Sequence, residues 1–405
     1  MKRLLLVLVM LIAMNASGQW VQMSNGMGND KSIISLFTMG TNIFAGNYIG
    51  GGVYKTTNDG INWTLTGFTG QLVIDFAIIG TNIFAGTYGD GVFLSTNNGA
   101  NWTAVNNGLL ELDIYSLASM GTRLFAGTDQ GGVFLSTNNG ASWTVVNNGF
   151  PQYESGRRLV VMGTNIFAAT NYSGVFKSTN YGTSWTAVNN GLTNLHVKSF
   201  TVSGTNLFAG TYLGGIFLST NYGLSWTTSN NELSNSIVVS LAVSGNNLFA
   251  GVVNMGVYLS TNNGTSWINK NQGFNNIKTV APLIISNNYI FAGRDSQSVF
   301  RRSLSEIIGI QNISTETPSS YSLGQNYPNP FNSTSNLKFE IANSGDVKLV
   351  VYDIMGKEVQ TLVNERLQPG TYEVSFDGSL LNSGVYFYKL TTIGFTETKK
   401  MALIK

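Results

Sequence analysis

STNNGASW, residues 136–143, is one of six near-identical octapeptides whose spacing decides the architecture. The others are TTNDGINW (56–63), STNNGANW (95–102), STNYGTSW (178–185), STNYGLSW (219–226) and STNNGTSW (260–267). Their tryptophans, Trp63, Trp102, Trp143, Trp185, Trp226 and Trp267, lie 39, 41, 42, 41 and 41 residues apart. A period of that length belongs to repeated supersecondary units that stack on one another. A second repeat completes the unit: GTNIFAG begins at Gly40 and Gly80, GTRLFAG at Gly121, GTNIFAA at Gly163, GTNLFAG at Gly204, GNNLFAG at Gly245 and NNYIFAG at Asn287. Each unit reads as four short strands, in the third unit 114–119, 123–128, 133–136 and 143–146, divided by glycine and asparagine turns. Strands such as ISLFT (34–38) are apolar at nearly every position, as in a sheet covered on both faces. Four-stranded sheets stacked radially meet that condition, so the expected fold is an all-β propeller.

Seven inner repeats against six tryptophan blocks leave the last unit without an outer strand, because VFRRS (299–303) is followed by no Asn-x-Gly-x-x-Trp turn. The missing piece stands at the other end of the repeat array. WVQMSNGM (20–27) aligns without a gap to WTAVNNGL (102–109), which puts Trp20 in the place of a seventh tryptophan. The expectation is one seven-bladed ring over 19–303, closed by an N-terminal strand that leaves no open sheet edge.

Composition excludes several classes of function. Only 10% of residues are charged and the formal net charge is +2, so no nucleic-acid partner is expected. With no cysteine and one histidine, disulfides, thiol catalysis and Cys/His zinc sites fall away. No metal and no cofactor are expected, since no phosphate-cradling glycine loop opens a helix. Lys2 and Arg3 precede an apolar run at 4–13 and the small residues Ala16, Ser17 and Gly18, which reads as a secretory signal over 1–18 cut after Gly18. That run is too short to span a bilayer, which takes about 20 residues. No later segment is longer, so no transmembrane anchor is expected after cleavage.

The octapeptide resembles the Asp-box of the bacterial neuraminidase (BNR) repeat, and the wider pattern resembles propellers of the sialidase, xyloglucanase and sortilin type. Asn58, Asn97, Asn138, Asn180, Asn221 and Asn262 stand where aspartate is usual. A neutral side-chain oxygen still accepts the turn hydrogen bonds, the glycine takes positive φ and the tryptophan packs between blades. The resemblance implies that these blocks are structural and lie away from the active face.

Function on such a ring is expected where loops after the second strands meet the blade connections. Tyr48, Tyr88 and Tyr212 share one register there, Tyr172 follows one residue later in its unit, and Asp129 and Asp295 hold the position in the third and seventh units. An aromatic rim with scattered carboxylates can stack on sugars or grip peptide; repeat drift leaving amphipathic tyrosines on a wet rim is the competing reading. A glycoside hydrolase needs two carboxyl groups roughly 5 to 9.5 Å apart. Asp90, Glu111, Asp113, Asp129, Glu154 and Asp295 supply acids, but their spacing singles out no pair, and no catalytic residue is named. Sialidase-type propellers clamp a carboxylate with three arginines; Arg157, Arg158 and Arg294 are expected on this face, and Arg123 on the other. His196 reads as an ordinary loop residue.

The repeat stops near Leu304. Residues 304–320 read as a linker and 321–405 as a second domain, with the polar ISTETPSSYS (313–322) running across the junction. The second domain carries 16 charged residues against 22 in the far longer ring, and its strands alternate apolar and polar side chains, as in an Ig-like antiparallel β-sandwich. YPNPFN (327–332), VYDIMGKEV (351–359), PGTYEVSFDG (369–378), SGVYFYKL (383–390) and KKMALIK (399–405) closely resemble the type A C-terminal sorting domain of the type IX secretion system of Bacteroidetes and relatives, with Ser333 the one departure. The resemblance implies that the type IX machinery is a partner of 321–405, and that the chain passes through the periplasm to the extracellular space or outer cell surface. The ring then reads as a binding or scaffold module for a glycan or protein ligand. The alternatives are an extracellular glycoside hydrolase acting on polysaccharide, and an assembly factor, against which the sorting domain weighs.

Overall fold

In every repeat the second strand is buried on both faces, as its run of apolar residues requires: Arg123–Thr128 is buried from Leu124 onward, and Asn206–Thr211 from Leu207 onward. The computed structural model describes residues 19–405 except 49, 275, 277, 278, 315, 333, 379 and 380, so the expected signal at 1–18 and Ser333 lie outside the described residues. Between residues 21 and 303 the described residues form seven four-stranded antiparallel sheets. Sheet 1 runs through Ile33–Met39, Asn42–Asn47, Val53–Thr56 and Thr64–Leu65 in that order. Sheets 2 to 6 repeat it, starting at Leu72–Ile79, Ile114–Met120, Arg158–Met162, Val197–Ser203 and Val238–Ser244. In sheet 7 the order is Val280–Ser286, Tyr289–Arg294, Ser298–Ser303 and then Val21–Gln22 from the start of the chain. Each first strand neighbours the first strands of the sheets before and after it, and that of sheet 7 neighbours sheet 1, which closes a cycle.

The octapeptide makes the turn between third and fourth strands. In STNNGASW, Asn138 Oδ1 accepts from Ser136 Oγ at 2.9 Å and from the Ser142 amide at 2.9 Å, while Ser136 Oγ accepts from the Gly140 amide at 2.9 Å. Gly140 has φ +82°, and Asn139 just before it also lies in the left-handed region at 55°. The variable position of Asn-x-Gly therefore carries a conformational demand of its own, met mostly by asparagine and aspartate. The tryptophan then reaches out of its sheet. The Trp143 indole N–H donates to Val105 O at 2.7 Å, Trp185 to Val146 O at 2.7 Å, Trp226 to Val188 O at 2.8 Å, and Trp267 to Ser229 O at 2.9 Å. Every acceptor sits three residues after the preceding sheet's tryptophan. Trp102 departs from the pattern and donates to Gly99 O within its own turn.

The N-terminal strand follows the same rule. Trp20 donates to Lys270 O, three residues after Trp267, at 2.7 Å, and Trp63 donates to Met23 O, three residues after Trp20, at 2.9 Å. Val21 pairs with Arg301 and Gln22 with Phe300. Gly26 matches Gly108: a Cβ would lie 2.1 Å from Trp63 O at the first and 2.3 Å from Trp143 O at the second.

Residues 304–320 differ from the expected linker. Leu304–Ile308 is a helical turn whose Leu304 and Ile307 pack into the cluster of Trp20, Phe249 and Phe300. Ile310–Ser314 is a strand that pairs with Gly370–Asp377. Both were missed because their partners are distant in sequence. The C-terminal region comprises two four-stranded sheets. One orders Ile310–Ser314, Gly370–Asp377, Thr334–Ile341 and Ser322–Leu323; the other orders Glu358–Leu367, Gly345–Tyr352, Gly384–Thr392 and Phe395–Leu403. Alternation along Thr334–Ile341 buries Leu337, Phe339 and Ile341 in a core shared with Leu349, Val351, Tyr388 and Leu390 of the other sheet. The Tyr388 hydroxyl donates to Gly324 O and accepts from the Asn326 amide, both at 2.8 Å, and burial pushes its pKa up to about 12.

Candidate functional site

Second and third strands of each sheet are antiparallel, so the ends of the second strands lie opposite the asparagine turns. Tyr88, Tyr172 and Tyr212 follow those ends and are 48%, 74% and 41% exposed; Tyr48 is 55% exposed. None is packed between sheets. They do not stand as separate points on a rim, because side chains from the first strands join three of them into two rows.

In one row the Tyr88 ring meets Tyr115 at 6.3 Å, and the Arg157 guanidinium lies over Tyr115 at 3.9 Å. In the other, Tyr172 meets His196 at 5.7 Å, His196 stacks on Tyr212 at 5.1 Å, and Lys198 Nζ lies 5.7 Å from the Tyr212 ring. Arg158 knots the rows together by donating to Tyr115 O at 2.8 Å, to Arg157 O at 3.1 Å and to Lys198 O at 3.1 Å. Tyr115 and Lys198 were not legible as site residues; each is the extra residue of a register shift at the start of its strand, between Ile114 and Ser116 and between Val197 and Ser199.

Electrostatics follow the same geometry. Burial, then Lys198 and Arg157, lowers the pKa of His196 below its ordinary value, so the imidazole is neutral at neutral pH. Burial, then Arg157 and Arg158, lowers that of Lys198. The nearby acids are engaged in loop structure. Glu154 accepts from Ser173 Oγ at 2.6 Å and from the Asn171 amide at 3.2 Å, and Glu111 accepts from the Leu112 and Asp113 amides at 3.0 and 3.2 Å. Asp129 accepts from Ser155 Oγ at 2.6 Å, and Asp295 from Ser32 Oγ at 2.6 Å, so both tie their sheet to the next one. Of the arginines expected here, only Arg157 lies over a tyrosine ring of the rows, while Arg158 bonds to backbone. Arg294 is buried against Phe274 and Phe300, and Arg123 lies over Tyr181 of an asparagine turn.

Beneath the rows lies a central cavity of about 220 Å³, lined by the first strands of all seven sheets. One register position supplies Ser35, Asp75, Ser116, Arg158, Ser199, Ser240 and Pro282. The serines clip neighbouring sheets: Ser35 donates to Val73 O at 2.7 Å and Ser199 to Val238 O at 3.0 Å. Asp75 takes the same role as an acceptor, from Ser116 Oγ at 3.0 Å and the Leu117 amide at 2.9 Å. It faces the cavity yet is surrounded by protein, and burial raises its pKa while Arg158 opposes the shift. Asp75→Ala is expected to cost about 2–4 kcal/mol, because it strands a buried hydroxyl and an amide. A carboxyl whose pKa is raised on folding contributes stability at low pH that is lost as pH rises through the folded value. The wild-type advantage over Asp75→Ala should therefore be larger at pH 4 than at pH 7. Denaturant titrations of both proteins check this; an advantage that grows toward pH 7 would contradict it.

Among the described residues no group of three or more His, Asp or Glu is placed to hold a metal, and no helix is long and apolar enough to cross a membrane.

Residues 325–405 match the secretion system C-terminal sorting domain. The match marks the chain for export by the type IX system to the cell surface or extracellular space. No curated protein matches the chain. Among solved structures it is similar to PorZ of Porphyromonas gingivalis, an essential bacterial surface component of the type IX secretion system, at 13% identity and TM-score 0.58 over 92% of this chain and 59% of PorZ. The chain thus spans under two thirds of PorZ's length. It is also similar to YCF48 of Cyanidioschyzon merolae, at 12% identity and TM-score 0.56 over 71% of this chain and 99% of that one. The GH74 xyloglucanase of Xanthomonas campestris matches at 11% identity and TM-score 0.52 over 68% of this chain and 43% of the enzyme. At such identities the likeness is one of fold, an all-β propeller.

Proposed function

We propose that the chain is a secreted or cell-surface seven-bladed propeller of the neuraminidase-repeat type, delivered by an Ig-like sorting domain over its C-terminal residues, and that it is a binding or scaffold module for a glycan or protein. The observation that carries this reading is the exposed Tyr172–His196–Tyr212–Lys198 row beside Tyr88, Tyr115 and Arg157. Rings and cations held on rigid strand ends make a preorganised contact surface that loses little entropy on binding. YCF48, which the chain resembles in fold, is known bound to D1 peptide, and the similar GH74 propeller is that of a xyloglucanase, so either ligand class suits the scaffold. Hydrolysis is the weaker reading, because Glu111, Asp129 and Glu154 already accept hydrogen bonds within the loops.

The double variant Tyr172→Ala with Tyr212→Ala is expected to weaken ligand binding at least tenfold while leaving the thermal midpoint almost unmoved, since both side chains are exposed. A glycan array and a pull-down from culture medium, each with the mature chain, supply the ligands. Undiminished binding by the double variant would rule out this mouth as the site. Oligosaccharides released from plant, mucin or microbial polysaccharide would favour the hydrolase instead.

A further inference from the structure

We infer that the mouth between sheets 2 and 5 selects an acidic glycan, with Arg157 and Lys198 facing its carboxylate or sulfate groups and Tyr172 and Tyr88 lying along its sugar rings. This rests on the binding reading above and names the ligand's chemistry.

The cations come first. Among the described residues Arg157 and Lys198 form no ion pair, although acids are near. Glu154 and Asp129 point their oxygens at serine hydroxyls instead. Arg158, whose own charge faces Asp75 in the cavity below, holds the backbones of Tyr115, Arg157 and Lys198 at one point, so the charges of Arg157 and Lys198 are kept near each other with no ion-pair partner among the described residues. Such an arrangement opposes folding, and an anion bound there relieves it. His196 adds a second sign of the same field, since its Nε2 is buried without a hydrogen-bond partner among the described residues.

The rings come second. Tyr172 is 74% exposed and Tyr88 48%, and each leads into one of the two rows that end in a cation. A flat ring beside a cation complements a pyranose, whose C–H face can lie on the ring while its charged substituent meets the cation. Arg157 is suited to the substituent because its planar fork matches carboxylate or sulfate oxygens. One of its donors, Nε, is held by Asn171 Oδ1 at 2.8 Å, which fixes the plane of the fork.

The test uses the mature full-length chain with two acidic polymers, polygalacturonate and carrageenan (a sulfated galactan without carboxylates), with fully methyl-esterified polygalacturonate and with poly-glutamate, read by calorimetry. Both acidic polymers should bind at least tenfold more tightly than the neutral ester, and raising salt from 50 to 200 mM should weaken only the acidic ones. Lys198→Gln and Arg157→Gln should each cost about five- to tenfold on the acidic polymers. The single histidine offers a readout in the wild type: the His196 imidazole proton signal should titrate at higher pH when an acidic polymer is bound. If one acidic polymer alone binds, the anion source is settled as carboxylate or sulfate and the inference stands. Equal binding of acid and ester, sensitive to Tyr172→Ala, would sink the acidic preference and leave the binding reading intact. Binding that ignores Tyr172→Ala would sink both. No binding of either acidic polymer, or preference for poly-glutamate over them, would overturn the glycan assignment.

Discussion

Trp20→Ala is expected to destabilise the ring by about 3–5 kcal/mol, the range for emptying a buried aromatic site. Trp20 is buried, its indole donates to Lys270 O at 2.7 Å, and it stacks on Phe274 at 4.9 Å. Its own amide donates to Gln272 O at 2.8 Å. Beyond it the strand is held by the pairing of Val21 and Gln22 with the last sheet and by the Met23 amide donating to Val299 O at 2.7 Å, a short run that depends on this anchor. Losing it exposes the edge of Ser298–Ser303 and loosens Met27, which packs with Ile33, Trp63 and Phe291. The control lies within the protein. Trp102 is the same residue type in the same repeat, but its indole bonds inside its own turn. Trp102→Ala should therefore cost less, by roughly the 1–2 kcal/mol of a buried inter-sheet hydrogen bond. Thermal denaturation of the three proteins checks the order, and limited proteolysis should release the first residues of the Trp20→Ala protein alone. An equal or smaller loss for Trp20→Ala would mean that the N-terminal strand does not close the ring.

Most of the ring was legible because each residue of the octapeptide acts locally. Serine, asparagine and glycine close a turn within five residues, and the tryptophan marks the reach to the preceding sheet. The gapless match of 20–27 to 102–109 carried the closure for the same reason. Asn139 was not legible, since nothing in a variable position announces positive φ. Asp75 was also missed: alternation along Leu72–Ile79 does not show which side chain turns inward after a register shift, although the serines at 35, 116, 199 and 240 share its register. Tyr48, Tyr88, Tyr172 and Tyr212 are exposed near strand ends, whereas the neighbours Tyr115 and Lys198 come from bulges set by a neighbouring strand. Arg294 looked like a rim residue by adjacency to Asp295. Phe274, about twenty positions earlier, covers it, and such a contact has no local signature. The strand Ile310–Ser314 failed for that reason too, its partner being sixty residues on.

Removing only residues 401–405 is expected to abolish delivery beyond the periplasm as completely as removing everything after Ile308. The sorting domain's two most recognisable motifs hold each other. The Phe331 amide donates to Ala402 O at 2.9 Å, the Ile404 amide donates to Phe331 O at 2.9 Å, and Asn329 Oδ1 accepts from the Ala402 amide at 3.0 Å. Met401 and Leu403 are buried in the core with Phe331 and Phe376. Loss of the last strand's end therefore opens the YPNPFN segment, and a receptor that reads either motif loses both. Truncation after Ile308 keeps Leu304 and Ile307 in the cluster around Trp20, so the ring should retain its thermal midpoint while export fails. Fractionation of a host with a type IX system, followed by immunoblotting of periplasm, surface and medium, separates the outcomes. Delivery of the chain lacking 401–405 at wild-type level would show that the terminal strand is not part of what the machinery reads. Delivery of the longer truncation would remove the sorting role from residues 325–405 altogether.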